Sequence, residues 1–510
     1  MRSRWLKRAL LGAVLSGGAL VIGGGIASAD VLSDTVDDAA AIVQDQSASN
    51  DNSTEQNSDA QAETQQTNVN VPVSVLSSGS NNGDVHQSND AHTNAAAGNA
   101  NSTEQGVQQD QDATSGGKDS GSSCDKCYGD HEDGGDVDQG QEAHNSNDTE
   151  QNSSASAGTE QTNINVPVSI LSSGSNNGDV HQSNDGNTKA ESFNDNATTQ
   201  SIGQDQLVTT DDAGSPCDKC GGSAGDIVQS QDGTNANSTT QDATSEATTH
   251  QVNVNAPVSI LSSGSNNGDV HQGNDAHTNA AAGNANSTEQ GVQQDQDATS
   301  GGKGSGSSCH SCYEDHGNGG DIVQSQSGSN ENATEQDASA TATTEQTNIN
   351  APLSILSSGS NGSSCGCGGS GDVDQSNDAN TKAEAYNANA TEQWIGQDQK
   401  ATSGSGDGGH DGYDRSGYGD GCGCHESRGG GDVTQSQDGS NANETKQDAA
   451  ATAETTQENK NLPFSFLSSG SNGGDVRQGN DAHTTAGAFN WNETKQGIWQ
   501  DQAAWLGVIA

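Results

Sequence analysis

The sequence predicts an all-β fold, a repetitive β-solenoid-like stack of short Asn/Gln-rich strands with Gly-rich disordered loops. Three observations predict it. Asn, Thr and Gln return at alternate positions in ten copies of N-x-T-x-Q, among them Asn101-Ser-Thr-Glu-Gln105. Glutamines recur at fixed intervals through five long repeats. Hydrophobic residues make up only 27% and aromatics 3% of the 510 residues, too few for a large apolar core. A chain of this composition either stays largely disordered, which is the alternative, or orders through backbone and polar side-chain hydrogen bonds. Disorder does not require fixed intervals.

The N-terminal element is MRSRWLKRALLGAVLSGGALVIGGGIASAD. A basic start, an apolar run and Ala-Ser-Ala before Asp30 predict a secretory signal peptide over 1–29, cleaved after Ala29. A short segment, 30–40, follows. The five repeats are expected at 41–134, 135–224, 225–319, 320–430 and 431–510. No later stretch is long enough to span a bilayer. The expected location is secreted or cell-surface, with no integral membrane segment after the signal is removed.

Each repeat has two related halves. The first opens at Gln44, Gln139, Gln229, Gln324 and Gln435, usually within G-D-(V/I)-x-Q. Its N-x-T-x-Q ends at Gln56, Gln151, Gln241, Gln336 and Gln447, and a further Gln follows at 66, 161, 251, 346 and 457. The second half opens with D-V-x-Q at Gln87, Gln182, Gln272, Gln375 and Gln478. Its own N-x-T-x-Q ends at Gln105, Gln200, Gln290, Gln393 and Gln496. Part of this regularity is recent duplication, since Leu76 to Lys118 matches Leu261 to Lys303 except at Ser88 and Gly273. Fixed spacing in the diverged copies is the stronger sign.

Alternate residues of a strand share one face. The candidate structural ladder is therefore Asn101, Thr103 and Gln105; Asn237, Thr239 and Gln241; Asn286, Thr288 and Gln290; with Gln44, Gln87, Gln229 and Gln272. Identical amides stacked about 4.8 Å apart can bond along the stack. If successive half-units stack, ten rungs span roughly 50 Å. N-x-T is also a glycosylation acceptor sequon, but that reading leaves the following Gln unexplained.

Between the halves lies an alternating apolar run: Val69, Val71, Val73 and Val75 in the first copy, Leu462, Phe464 and Phe466 in the last. Period two predicts a half-buried strand that packs its apolar face. Pro72, Pro167, Pro257, Pro352 and Pro463 make it edge-like. The SSGSNNGD that follows reads as a turn.

Gln231-Asp-Gly233-Thr-Asn235-Ala-Asn237-Ser-Thr-Thr-Gln241 resembles the curlin repeat of bacterial curli fibres, as do Gln326 to Gln336 and Gln437 to Gln447. The resemblance implies a strand-turn-strand β-solenoid with Gln and Asn ladders and a role in an extracellular amyloid matrix. It makes Gln231, Gly233, Asn235 and Gln241 the ladder and turn positions. The Asn spacing departs by one, and the units are far longer. VNVPVSV is similar, more weakly, to strands of the chaplins, actinobacterial surface amyloids.

All ten cysteines form close pairs: Cys124 with Cys127, Cys217 with Cys220, Cys309 with Cys312, Cys365 with Cys367, and Cys422 with Cys424. Export favours oxidation, so the expectation is disulfides, within loops or between chains. Zinc is the competing reading, with His131, His316 and His425 near some pairs. The Asp-Gly-rich loop from Asp407 to Asp432 invites loose calcium binding but fits no calcium-loop spacing. No cofactor is expected otherwise. His86, His181 and His271 are expected to face solvent.

The net charge of -53 excludes a generic nucleic-acid partner and sets separate molecules repelling each other. No nucleophile-base pair or phosphate loop stands out, so no enzyme is expected. Trp491, Trp499 and Trp505 give the last repeat an apolar end, a cap or an association edge. The expected function is a structural or adhesive component of the cell surface or matrix that self-associates, with assembly into amyloid-like fibres as its expected form. The alternatives are an acidic disordered cation-binding or hydrating protein, and a metal-binding protein.

Overall fold

The structure is a computed structural model. It describes residues 21–36, 42–78, 83–116, 135–173, 176–211, 225–263, 266–302, 320–357, 371–405, 431–467 and 474–507. Among them the only regular secondary structure is β.

The strands follow the repeats. The first repeat holds β2 (Ile42–Asn70), β3 (Val73–Val75) and β4 (Val85–Gly116), preceded by β1 (Val21–Val36). The second holds β5 (Val137–Asn165), β6 (Val168–Ile170), β7 (Asn176–Asn177) and β8 (Val180–Asp211). The third holds β9 (Ile227–Asn255), β10 (Val258–Ile260), β11 (Asn266–Asn267) and β12 (Val270–Gly302). The fourth holds β13 (Ile322–Asn350), β14 (Leu353–Ile355) and β15 (Val373–Ser405), and the fifth β16 (Val433–Asn461), β17 (Phe464–Phe466) and β18 (Val476–Gly507).

First halves pair only with first halves, in the order β16-β13-β9-β5-β2. Second halves pair with second halves, in the order β4-β8-β12-β15-β18, and β1 adds a further strand on the outer edge of β4. All these pairings are parallel, and from repeat to repeat each residue aligns with its equivalent. The expected single stack of ten rungs is thus two facing stacks of five. Each repeat is one rung: a long strand, a corner, and a long strand returning opposite it. Five rungs measure only about 20 Å along the stack, while each 29- to 33-residue strand runs for about 100 Å.

The corner has a physical cause. Proline has no N–H, and each corner proline uses only its carbonyl, as where Val168 N donates to Pro72 O at 2.8 Å. The long strand therefore stops before it. After the short strand, Leu76, Leu171, Leu261, Leu356 and Leu467 adopt φ of 51–52°, the left-handed region that reverses the chain.

The apolar run does not pack its apolar face inward. Asn165, Asn255 and Ser169 are buried, and Val69, Val73 and Val75 are exposed. The register set by the buried asparagines turns the valines outward, because adjacent residues of a strand point to opposite faces.

The interior is small and mixed. Alanines such as Ala190, Ala280 and Ala383 fill its middle. Ile202, Val292 and Ile395 fill a second patch, where Gly233 and Gly328 leave room: a Cβ on Gly233 would lie 2.9 Å from Val292. The Gln231 to Gln241 segment runs through β9 without a turn, so Gly233 is a space-maker within a strand.

Candidate functional site

The chemistry of this molecule is concentrated between the two stacks. All thirteen predicted ladder residues lie there on inward faces of β2, β4, β9 and β12, and all are buried. Asn237 shows how N-x-T operates. Its Nδ2 donates to Asn332 Oδ1 in the next rung at 2.7 Å, to its own Thr239 Oγ1 at 3.3 Å and to Thr288 Oγ1 of the facing strand at 3.2 Å. Asn286 repeats the pattern from the other side, donating to Asn389 Oδ1 at 2.9 Å and to Thr334 Oγ1 at 3.2 Å. Asn101 donates to Asn196 Oδ1 at 2.9 Å and to Thr103 Oγ1 at 3.2 Å. The two N-x-T copies of a repeat therefore face and interlock. Burial removes the glycosylation reading for the interior copies, because Asn196, Asn237 and Asn286 offer no accessible amide.

The glutamines bind along and across. Gln290 Nε2 donates to Gln200 Oε1 at 2.8 Å and to Glu331 O of the facing stack at 2.8 Å. Gln241 does the same with Gln151 Oε1 and Ala285 O, and Gln229 with Gln139 Oε1. Gln272 donates to Gln182 Oε1 and Ile349 O. Gln44 Oε1 accepts from Gln139, Gln87 Oε1 from Gln182, and Gln105 Oε1 from Gln200, each at 2.8 Å. The two amides run oppositely. Glutamines donate toward the N-terminal rung, and asparagines toward the C-terminal one.

Two sets of core residues lie outside the predicted ladder. Asn99, Asn194, Asn284 and Asn387 form another amide column. A threonine hydroxyl chain zigzags between the stacks, from Thr455 through Thr381, Thr344, Thr278, Thr249, Thr188 and Thr159 to Thr93, with steps of 2.7–2.8 Å. Its signal was present in the sequence: one threonine precedes each third Gln of the first half by two residues, and another follows each D-V-x-Q Gln by six.

The outer faces are acidic columns. Asp110, Asp205, Asp295, Asp398 and Asp501 align rung on rung. Burial, then the neighbouring Asp295 and Asp110, push the Asp205 carboxyl above its ordinary value. Burial first and neighbouring carboxylates after it do the same to Asp337. His86, His181 and His271 stack at 4.8 Å, the outer two exposed and His181 partly buried between them. Partial burial and the two flanking imidazoles lower the His181 pKa. A shallow open groove follows Asp90, Asp185, Asp275 and Asp378. Among the described residues no three His, Cys, Asp or Glu side chains converge as metal ligands.

The ten paired cysteines, with His131, His316 and His425, lie outside the described residues, as does the acidic loop up to residue 430. The disulfide expectation is corrected: the structure joins no cysteine pair. Among the described residues, main-chain and amide hydrogen bonds hold successive rungs together. Among the described residues no helix is long and apolar enough to cross a membrane.

No family model matches the sequence, and neither a curated protein nor a solved structure is similar to it. What stands of the curlin and chaplin resemblance is a repetitive, solenoid-like all-β architecture.

Proposed function

We propose that this protein is an exported structural component of a cell surface or extracellular matrix, a stiff acidic plate rather than a catalyst. One observation carries the reading. The interior is occupied by amide and hydroxyl columns that bind one another, so the conserved chemistry of the five repeats is spent on holding the stack. Buried amides that are all paired stabilise a fold without a large apolar core. The acidic outer columns suit a hydrated, extracellular setting. The basic, then apolar N-terminus supports export.

Fractionation of the producing cells, with N-terminal sequencing, tests this. The expected result is a chain in the envelope or medium that begins at Asp30. A cytoplasmic chain that retains Met1 contradicts it.

A further inference from the structure

The geometry points to head-to-tail joining, in which the fifth repeat of one molecule docks on the first repeat of a second copy and the rungs continue across the junction. This rests on the reading of the protein as a structural component. Three independent features of the two ends carry it.

The first is amide polarity. Gln496 Nε2 donates to Gln393 Oε1 at 2.6 Å, leaving the glutamine carbonyl oxygens of the fifth repeat toward the open edge. Asn389 Nδ2 donates to Asn492 Oδ1 at 2.9 Å, leaving asparagine N–H groups there. The first repeat presents the converse. Its Asn101 Oδ1 is buried and accepts no hydrogen bond. Two like ends would set donors against donors, whereas unlike ends match. A heterologous contact that does not close on itself generates a filament.

The second is charge. Glu55, Glu150, Thr240, Glu335 and Lys446 occupy one column. Glu104, Thr199, Glu289, Glu392 and Lys495 occupy another. The fifth repeat carries Lys in both columns where the first carries Glu. Lys446 already pairs with Glu335 one rung below. Docking sets Glu55 and Glu104 of the second copy one rung above these lysines, in a chain whose other charges mostly repel.

The third is size. Gly98, Phe193, Gly283, Tyr386 and Phe489 form a column in which glycine alternates with an aromatic ring through the fourth repeat. The alternation is steric, since a Cβ on Gly283 would strike the Tyr386 ring. Phe489 is 67% exposed at the edge, and the residue that would cover it in the second copy is Gly98.

On the first repeat, β1 pairs with Asn101 to Ser115. The incoming β18 takes its place over that stretch. Residues Val21 to Ala29 of β1 precede the expected cleavage point, so export would clear most of it.

The test uses the exported chain and two variants, K446E/K495E and E55K/E104K, followed by light scattering and electron microscopy at neutral pH and physiological salt. Wild type is expected to form unbranched filaments. Each variant alone sets like charges at the junction and is expected to elongate at least tenfold more slowly. Their equimolar mixture restores opposite charges at every junction and is expected to form filaments like wild type. Wild type that stays monomeric at all concentrations overturns the inference. So do variants that each polymerise at the wild-type rate, or a mixture that does not polymerise. If reversal of Lys446 unfolds the fifth repeat by circular dichroism, K495E mixed with E104K runs the same test. A monomeric chain at the cell surface would overturn this inference alone, and filaments of a cytoplasmic chain would overturn the location alone.

Discussion

At the scale of a residue, the core behaves as a set of coupled amides. Gln290 donates twice and accepts from Gln393 Nε2 at 2.7 Å. Replacing it with Leu keeps the volume but leaves the buried Gln200 Oε1 without its donor and takes one partner each from Glu331 O and from Gln393 Nε2, which still donates to Ala442 O at 2.9 Å. At roughly 1–3 kcal/mol for an orphaned buried polar group, Gln290→Leu is expected to cost about 1–3 kcal/mol in guanidinium unfolding. Gln293→Ala, on the exposed face three residues on, should change stability by less than about 0.5 kcal/mol. Equal effects would contradict the inward ladder. Leu261 offers a converse case. Its φ of 51° is unfavourable for a branched side chain, and its side chain is half exposed. Leu261→Asn should leave stability unchanged or raise it by about 1 kcal/mol, because Asn tolerates the left-handed region. A clear fall in the unfolding midpoint would mean that the leucine packs against something essential. The ladder asparagines and glutamines were legible from their spacing. The threonine chain was not singled out, because Thr is common in this chain and its partners alternate between two strands distant in sequence.

At the scale of an element, the existence of strands was legible and their length was not. The turn signals within 42–70 are weak, and nothing in the N-x-T-x-Q motif states that its strand runs on for 29 residues. The pairing of like halves was hidden too, since either half carries the same motif. The apolar run misled for a physical reason. Period-two alternation says which residues share a face but not which face is inside, and here Asn165 and Asn255 hold the interior. The stacked strands also set the response to acid. Burial, and after it the neighbouring carboxylates, raise Asp205 and Asp337 above the ordinary 3.8. Burial alone raises Asp195. A carboxyl raised in the folded state binds its proton more tightly there, so stability grows as pH falls through the raised values toward 3.8. His181 acts in the opposite sense, because its lowered value costs stability as pH falls through 6.5. The urea midpoint is therefore expected to fall as pH drops below 6.5 and then to rise as pH approaches 3.8. A steady fall across that range would show that the acidic columns do not strain the stack.

At the scale of the whole molecule, the two ends differ from the middle. In the fifth repeat Trp499 is 65% and Trp505 71% exposed, while equivalents of their neighbours in the inner repeats are buried. Both sheets end there in strands with one edge unpaired, a form that invites another strand. The terminal tryptophans were legible as an unusual end. Whether they cap or join was not, because that depends on the register that sets Phe489, Lys446 and Lys495 in columns with Gly98, Glu55 and Glu104. The central claim is that the repeats already form a stack of hydrogen-bonded rungs in the monomer. Amide hydrogen exchange read by mass spectrometry tests it most directly, because protection reports the local opening free energy of each strand. Slow exchange is expected across β5, β8, β9, β12 and β13, with faster exchange in the edge strands β16 and β18. Uniformly fast exchange, equal in the Gln-anchored strands and in the connections between them, would contradict the ladder and return the chain to the disordered alternative.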